Sequence, residues 1–291
     1  MKVGYVDFNF FGQSVRMSGE EHDLVDARFF YSGHLAMSDA DAPDLLVDIS
    51  CCDLPQRGFF TSLLAKDRLR KRIRLSARTE EGWGEPRTTE FTSWSGVSSP
   101  LPPFRDSSLW RRVATYSGTT MTMPDGRGMV ITGNNYVGKT ATSLQLHERG
   151  YGLISDSVVV LDSESGELLP YLSPIGYRRE NLRRNYDWIS TVPHRETISP
   201  DTGLVVLVRP EDALPEQSER DPVPFDVLVH LRRAGGESSS TVLSTPDIGW
   251  YTGVPRNVVD SLVPQNIHAV TVPENAPPDE VADQIEKAMA S

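Results

Sequence analysis

The chain has 291 residues, which is enough for one large or two ordinary domains around a buried core. Its net charge of -11 at pH 7 argues against a nucleic-acid backbone or an anionic membrane surface as the main partner. No apolar run is long enough to cross a bilayer, and residues 1–7 lack the core of a signal peptide, so we expect a cytoplasmic protein.

The first third of the chain is predicted to be rich in strands, with no catalytic motif. The predicted strands cover 3–11, 45–49 and 70–77. The third strand includes part of a basic run: Arg68, Arg70, Lys71, Arg72 and Arg74. A solvated face that balances nearby acids is favoured over an anion-binding one. Cys51 and Cys52 are adjacent, which indicates two small residues at a strand end rather than a disulfide or a metal site.

A cluster of serine and proline at 98–104 predicts a linker between two parts of the chain. We place the boundary near residue 105, which gives a strand-rich N-terminal domain over 1–105 and a second domain over 106–291. The N-terminal domain is a candidate for binding the substrate or a partner. Beyond the boundary we predict a pair of strands within 110–123 and a turn at 124–126.

A phosphate-binding motif comes next. Gly133-Asn-Asn-Tyr-Val-Gly-Lys-Thr140 matches GxxxxGK[ST] at every required position. An apolar strand is predicted at 128–132 before it, and a helix at 139–149 after it, with Gly150 at the helix C-terminus. The order strand, loop, helix places phosphate at a helix N-terminus, where free N–H groups and the helix dipole favour anions. The chain therefore is predicted to bind a nucleotide.

Each part of the motif has an expected role. Backbone N–H groups surround the phosphates, the Lys139 ammonium adds a positive charge, and the Thr140 hydroxyl is suited to hold Mg²⁺. The predicted nucleotide contacts are Gly133, Asn134, Asn135, Tyr136, Val137, Gly138, Lys139, Thr140 and Ala141.

A second strand is predicted at 152–161, which would complete a βαβ unit and carry Asp156 close to the phosphate loop. A carboxylate there can bind Mg²⁺ through water or accept a proton from an attacking hydroxyl. We predict both roles for Asp156, with a surface aspartate as the alternative.

Arginines cluster within 177–184 and are followed by His194 and Arg195. Phosphoryl transfer needs cations against the γ-phosphate, and the planar guanidinium fits that task. The sequence does not choose among these arginines, of which Arg179 is the candidate that we name. We interpret His194 as a loop residue rather than a base.

The rest of the chain continues the alternation of strands and helices. Strands are predicted at 203–208 and 227–231, with a mobile, acidic and proline-rich loop over 210–224. The pattern of apolar residues in 278–290 predicts an amphipathic helix that packs on the core.

The span 128–162, GMVITGNNYVGKTATSLQLHERGYGLISDSVVVLD, resembles the core of the HPr kinase/phosphorylase-like family and, more distantly, the phosphoenolpyruvate carboxykinases. The resemblance extends unevenly over 115–290. It implies an α/β fold with a P-loop kinase domain of HPr kinase/PEP carboxykinase-like type, preceded by a strand-rich N-terminal part. It also implies ATP and Mg²⁺ as cofactors and Asp156 as the catalytic carboxylate.

Three positions depart from the pattern of that family. Its acidic pair is Asp156 followed by Ser157 here, so one carboxylate is missing. Bifunctional members carry a His on the strand before the loop and a Glu directly after the loop hydroxyl. Gly118 or Thr119 lies near the first place, and Ala141 fills the second. The missing carboxylate would weaken metal binding or base function. The absence of the His and of the Glu argues against phosphorylase activity and against a role in bacterial carbon regulation.

The leading hypothesis is a kinase that uses ATP and Mg²⁺ to phosphorylate a hydroxyl of a small molecule or of a serine in a peptide or protein. A non-catalytic ATP-binding sensor or regulatory protein is the alternative, and Ser157 is its best support. The expected partner is the hydroxyl substrate, without nucleic acid or membrane; a homo-oligomer is compatible with the sequence.

Overall fold

In a computed structural model, the structure describes residues 4–36, 42–51, 71–79, 82–91, 111–199, 202–214, 221–243 and 249–290. The predicted linker at 98–104, Cys52, Arg68 and Arg70 lie outside these residues. The described chain is a mixed α/β protein, as predicted. None of its described helices is long and apolar enough to cross a membrane.

The strands, in chain order, are β1 Gly4–Phe10, β2 Gln13–Gly19, β3 Leu45–Cys51, β4 Lys71–Thr79, β5 Gly82–Trp83, β6 Arg87–Phe91, β7 Val113–Ser117, β8 Thr119–Thr122, β9 Gly128–Thr132, β10 Gly152–Ser155, β11 Val158–Asp162, β12 Glu167–Leu168, β13 Ile175–Arg178, β14 His194–Ser199, β15 Gly203–Val208, β16 Val223–Arg233, β17 Ser239–Val242, β18 Tyr251–Thr252 and β19 Ile267–Val272. The α-helices are α1 Glu21–Phe30, α2 Lys139–His147, α3 Arg179–Ile189, α4 Pro210–Ala213, α5 Arg256–Leu262 and α6 Pro278–Met289, and a 3₁₀ turn covers Ser32–His34.

The chain divides into two compact units. The first unit comprises Met1–Leu109 and Gly176–Ala213, and the second comprises Trp110–Ile175 and Leu214–Ser291. The division into 1–105 and 106–291 that the sequence predicts differs from this one, because the segment 176–213 groups with the N-terminal segment.

The first unit holds a sheet in the order β1-β2-β3-β4-β5, with β6 also paired to β4, and a three-stranded sheet in the order β13-β15-β14. Helix α1 lies against β1 and β2 and buries Leu24, Ala27 and Phe30. In β4, Arg72 and Arg74 are exposed while Leu75 is buried, which agrees with a solvated basic face.

The second unit is built on three parallel strands, because β16 pairs in parallel with β9 on one side and with β19 on the other. Their carboxyl ends therefore lie at the same edge of the sheet. β9 is buried at all its positions, as a central strand should be. α2 and α6 contact each other, and the Arg149 guanidinium joins them through Asp283 and Glu286, with Nη1 2.7 Å from a carboxylate oxygen of each.

Several predicted elements are confirmed, in both units. The strand over Gly128–Thr132 and the later strand over Gly203–Val208 have the predicted bounds. The helix after the loop ends at His147 rather than at Arg149, and Gly150 follows it with a φ of 92°. α6 buries Val281, Ala282, Ile285 and Ala288, so it packs as predicted.

Two predicted elements are wrong. The single strand over 152–161 is two strands, because β10 pairs with β8 whereas β11 pairs with β7 and β12. Ser157 lies between them with a left-handed φ of 72°. The predicted loop over 210–224 begins with the short helix α4 and ends in β16, which already starts at Val223, while its middle at 215–220 lies outside the described residues.

Candidate functional site

The phosphate-binding motif forms the connection between β9 and α2. Gly133 has a φ of 143°, and a Cβ atom there would lie 2.4 Å from the Leu231 carbonyl oxygen. Gly138 precedes α2 with a left-handed φ of 106°. Both positions need glycine, the first for close approach to β16 and the second for its backbone angles. The glycines of the motif therefore shape a loop at the N-terminus of α2.

The central residues of this loop face solvent, whereas its two ends are partly covered. Asn134, Asn135 and Tyr136 are exposed, and the Val137 side chain is buried. Tyr136 is half exposed and has a left-handed φ of 66°, which is an unfavourable conformation for a residue with a Cβ atom. The exposed middle of the loop is open to a ligand.

Lys139 reaches back over the loop from the first turn of α2. Its Nζ atom donates to the carbonyl oxygens of Gly133 at 2.9 Å and Asn134 at 3.1 Å. Burial lowers the pKa of Lys139, and the charge of Asp156 acts in the opposite direction. The ammonium group is thus held over the loop by two of its carbonyl oxygens, where it adds a positive charge to the motif.

Asp156 lies against the start of α2. Its carboxylate accepts a hydrogen bond from the Thr140 hydroxyl, which is 3.0 Å from each carboxylate oxygen, and another from the Thr119 hydroxyl at 2.9 Å. The Ser157 hydroxyl is 3.4 Å away. The end of β10 thereby brings a carboxylate to the last residue of the motif, close to where the sequence predicts it.

The carboxylate of Asp156 is buried, with only 3% of the residue exposed. Burial raises the pKa of Asp156, and the hydrogen bonds from Thr119, Thr140 and Ser157 and the charge of Lys139 offset this only in part. Within the described ranges, no arginine or lysine forms an ion pair with it. A buried carboxylate held by hydroxyl groups alone is suited to receive a cation or a proton.

The break between β10 and β11 is what aims Asp156 at the loop. Ser155 and Ser173 fix this corner, because the Ser155 hydroxyl donates to the Val158 carbonyl oxygen at 2.7 Å and the Ser173 hydroxyl donates to the Asp156 carbonyl oxygen at 3.0 Å. If the strand were continuous, residue 156 would lie within the sheet instead of at the edge of the sheet.

Two residues of β16 lie beside the loop and were not predicted from the sequence. The His230 ring nitrogen Nδ1 is 3.1 Å from the Thr132 hydroxyl, and burial and the charges of Arg232 and Lys139 lower the pKa of His230. The Arg233 Nε atom donates to the Val137 carbonyl oxygen at 2.8 Å. The predicted strand over 227–231 includes His230 and ends two residues before Arg233, but its pairing with β9 was not predicted.

The remaining predicted site residues fall in two places. Ala141 is half-buried in the first turn of α2, directly after Thr140. Arg179 is the first residue of α3 in the first unit, with a left-handed φ of 47°, and its role at the γ-phosphate stays a prediction. Arg195 forms an ion pair with Asp26 in the same unit, and its guanidinium lies 4.5 Å above the Phe29 ring. This arginine therefore has a structural partner.

Comparisons with known proteins give distant structural similarity without a sequence match. No family model matches the chain, and no curated protein matches it. Among solved structures, the chain is similar to the Hpr(Ser) kinase/phosphatase from Coxiella burnetii, with 14% sequence identity over 60% of this chain and 94% of that chain, and a TM-score of 0.32.

Proposed function

We propose that this protein is a kinase that transfers the γ-phosphoryl group of ATP to a hydroxyl group of a small molecule or of a serine in a peptide or protein. The observation that carries the proposal is the direct hydrogen bond between the last residue of the phosphate-binding motif, Thr140, and the buried carboxylate of Asp156. Phosphoryl transfer requires a polyphosphate cradle next to a group that can orient an acceptor hydroxyl, and these two residues join the two parts.

The residues at this edge fit a Mg²⁺ ion. Mg²⁺ prefers oxygen ligands and is held by one or two protein oxygens together with water and phosphate. The Thr140 hydroxyl and the Asp156 carboxylate supply such oxygens 3.0 Å apart. These two residues would hold the ion, which when bound neutralises charge on the phosphates.

The chain's own groups would divide the remaining work. The loop N–H groups and the Lys139 ammonium would bind the β- and γ-phosphates. Asp156 would accept the proton of the acceptor hydroxyl while the oxygen of that hydroxyl forms the new bond to the γ-phosphorus atom. The bond from that phosphorus to the bridging oxygen then breaks and ADP leaves. A raised pKa suits Asp156 to this task, because a general base works best when its pKa approaches the working pH.

A nucleotide sensor without catalysis is the second candidate. Its support is Ser157, which stands beside Asp156 with its hydroxyl 3.4 Å from the carboxylate, so the corner supplies one carboxylate rather than two. In this reading the exposed loop orders around ATP and presents a changed surface to a partner.

The test is transfer of label from γ-labelled ATP, with Mg²⁺, into pooled hydroxyl compounds and serine peptides. Lys139→Ala and Asp156→Asn should abolish labelling, whereas the matched controls Lys287→Ala, on α6, and Asp162→Asn, at the far end of β11, should retain it. Tight ATP binding without any labelled acceptor and without ADP release would reject the kinase and favour the sensor.

A further inference from the structure

Arg233 connects the phosphate-binding loop to the segment that follows β19. Its Nε atom donates to the Val137 carbonyl oxygen at 2.8 Å. Its Nη1 atom donates to three carbonyl oxygens, at 3.0 Å to Pro273, 2.8 Å to Glu274 and 3.0 Å to Ala276. One half-buried guanidinium thus binds four backbone carbonyls on two separate connections.

The contact with Val137 has a consequence for the next residue. The Val137 carbonyl and the Gly138 N–H belong to one planar trans peptide group, so they point in opposite directions. A guanidinium that holds the carbonyl on the side of β16 turns the Gly138 N–H away from β16. The Nη2 atom also lies 3.2 Å from the position that a Gly138 Cβ would take, so the guanidinium packs directly on this peptide.

Arg233 is well placed to hold this peptide rigidly. Arginine keeps its charge under all ordinary conditions, and hydrogen bonds from a charged donor are stronger than neutral ones. The carbonyl oxygens of Pro273, Glu274 and Ala276 fix the position of the guanidinium independently of its contact with the loop. The loop therefore does not depend on a ligand to set the orientation of this peptide.

We propose that Arg233 is the positioning residue of the phosphate-binding loop: it orients the Val137–Gly138 peptide so that the Gly138 N–H is presented to a bound polyphosphate. This inference rests on the proposed function, since it assumes that the loop binds nucleotide phosphates. It assigns Arg233 no contact with the reacting atoms.

The test compares Arg233→Met and Arg233→Lys with Arg232→Met, a matched control because Arg232 is the exposed preceding residue of the same strand. Affinities for ATP and for inorganic tripolyphosphate are measured by calorimetry, with thermal unfolding of each protein without ligand. Loss of one charged hydrogen bond predicts about a tenfold weaker affinity for both ligands in Arg233→Met. Arg233→Lys retains the charge without the planar guanidinium, so its affinities should lie between those of the wild type and Arg233→Met. Arg232→Met should bind both ligands like the wild type.

Tripolyphosphate carries no base or ribose, so it separates the two ways in which Arg233 could matter. Equal losses for ATP and tripolyphosphate support positioning of the loop. A loss for ATP alone would overturn the inference, because Arg233 would then serve the nucleoside. Unchanged affinities would overturn it as well, and so would a failure of both Arg233 variants to fold, which would make Arg233 a residue of stability only.

The same measurements keep this inference apart from the proposed function. If the wild type binds tripolyphosphate in an Arg233-dependent way but labels no acceptor, the kinase proposal fails and the positioning role stands. If the wild type labels an acceptor and the Arg233 variants bind normally, the kinase stands and the positioning role fails. If the wild type binds neither ligand, both fail.

Discussion

Two buried aspartates, one in the corner just before β11 and one at the far end of β11, lie in opposite environments. Asp156, at the corner between the strands, is surrounded by the hydroxyls of Thr119, Thr140 and Ser157. Asp162, at the far end of β11, accepts from the Arg112 guanidinium at 3.0 Å and 2.6 Å and from the Glu164 N–H at 2.9 Å. The residues are 3% and 1% exposed at the surface, but Asp156 lies deeper within the protein than Asp162.

Depth of burial and hydrogen-bond partners together decide the direction in which the pKa of each carboxylate shifts. Burial acts to raise the pKa of both groups, and at Asp162 the Arg112 guanidinium and the backbone N–H groups outweigh it and hold the pKa below its ordinary value. At Asp156 the hydroxyls do not outweigh the effect of burial, so the pKa of Asp156 is raised. A buried acid with its own guanidinium is a structural ion pair, whereas one held only by hydroxyls is kept ready for another cation or a proton.

The sharpest test of this difference is the activity of Asp156→Asn. Loss of a general base lowers turnover by about 10²- to 10⁴-fold. The measurement is kcat for label transfer at saturating ATP and Mg²⁺, together with the affinity for ATP without Mg²⁺, which should stay close to that of the wild type because Asp156 is assigned to the metal and the acceptor rather than to the phosphates. Asp162→Asn is the matched variant and should keep kcat within about threefold. Equal losses in both variants would remove the distinction between the two aspartates.

Asp162→Asn should instead lower stability. It leaves the Arg112 guanidinium without its buried partner, and since 41% of the Arg112 side chain is exposed, we expect a loss of only about 1–2 kcal/mol. The measurement is chemical unfolding at neutral pH. Asp125→Asn, at the exposed ion pair with Arg127, is the control and should unfold like the wild type. Unchanged stability of Asp162→Asn would show that Asp162 is not a structural ion-pair partner of Arg112.

The two aspartates should also give opposite pH dependences of stability. The raised pKa of Asp156 means that the folded protein holds this proton more tightly than the unfolded chain. Its stabilising contribution is therefore present below the ordinary Asp pKa of about 3.9 and is lost as pH rises through the folded value. The lowered pKa of Asp162 makes its contribution present above about 3.9 and lost as pH falls through its folded value.

The measurement is the melting temperature of the wild type and of both Asn variants from neutral pH down to pH values below the ordinary Asp pKa of about 3.9. Asp156→Asn should melt about 2–4 °C above the wild type near neutral pH for each kcal/mol of removed burial penalty, and the gap should close toward low pH. Asp162→Asn should melt below the wild type near neutral pH and approach it at low pH. A gap for Asp156→Asn that widens on acidification contradicts the assigned direction.

The smallest effect is expected from Thr119→Val. The substitution removes one hydroxyl that donates to Asp156, so it should raise the pKa of that carboxylate further. The acidic limb of the profile of kcat/KM against pH should move upward by about one unit or less. The control is Thr120→Val, because Thr120 is equally buried and its hydroxyl has no hydrogen-bond partner in the described structure. A shift in both variants would point to packing rather than to the hydrogen bond.

The sequence carries the local part of this site well. The spacing of Gly133, Gly138, Lys139 and Thr140 fixes a strand, a loop and a helix, since each depends on neighbouring residues only. The position of Asp156 near the loop also follows from the order of the elements. The break after Ser155 was not predicted, although the polar residues Ser155, Asp156 and Ser157 interrupt the apolar run at that point. The two strands take different partners, and neighbouring residues alone do not determine that pairing.

Distant contacts account for most of what the sequence misses. Arg233 is one arginine among many until β16 pairs with β9, and nothing in its neighbourhood in the chain links it to Val137. The helix α4 is a different case. Its composition predicts a loop, yet Pro210 followed by Glu211 and Asp212 is itself typical of a first helical turn.

The pairing of β9 with β16 also sets an order of events during synthesis. Gly128 and Asp226 are 98 positions apart, and Val137 and Arg233 are 96 apart, so the motif leaves the ribosome long before the strand that supports it. Contacts of such separation form late and slowly in folding. A nascent chain that ends before β16 contains the whole phosphate-binding motif but lacks the strand that shapes the backbone of the loop.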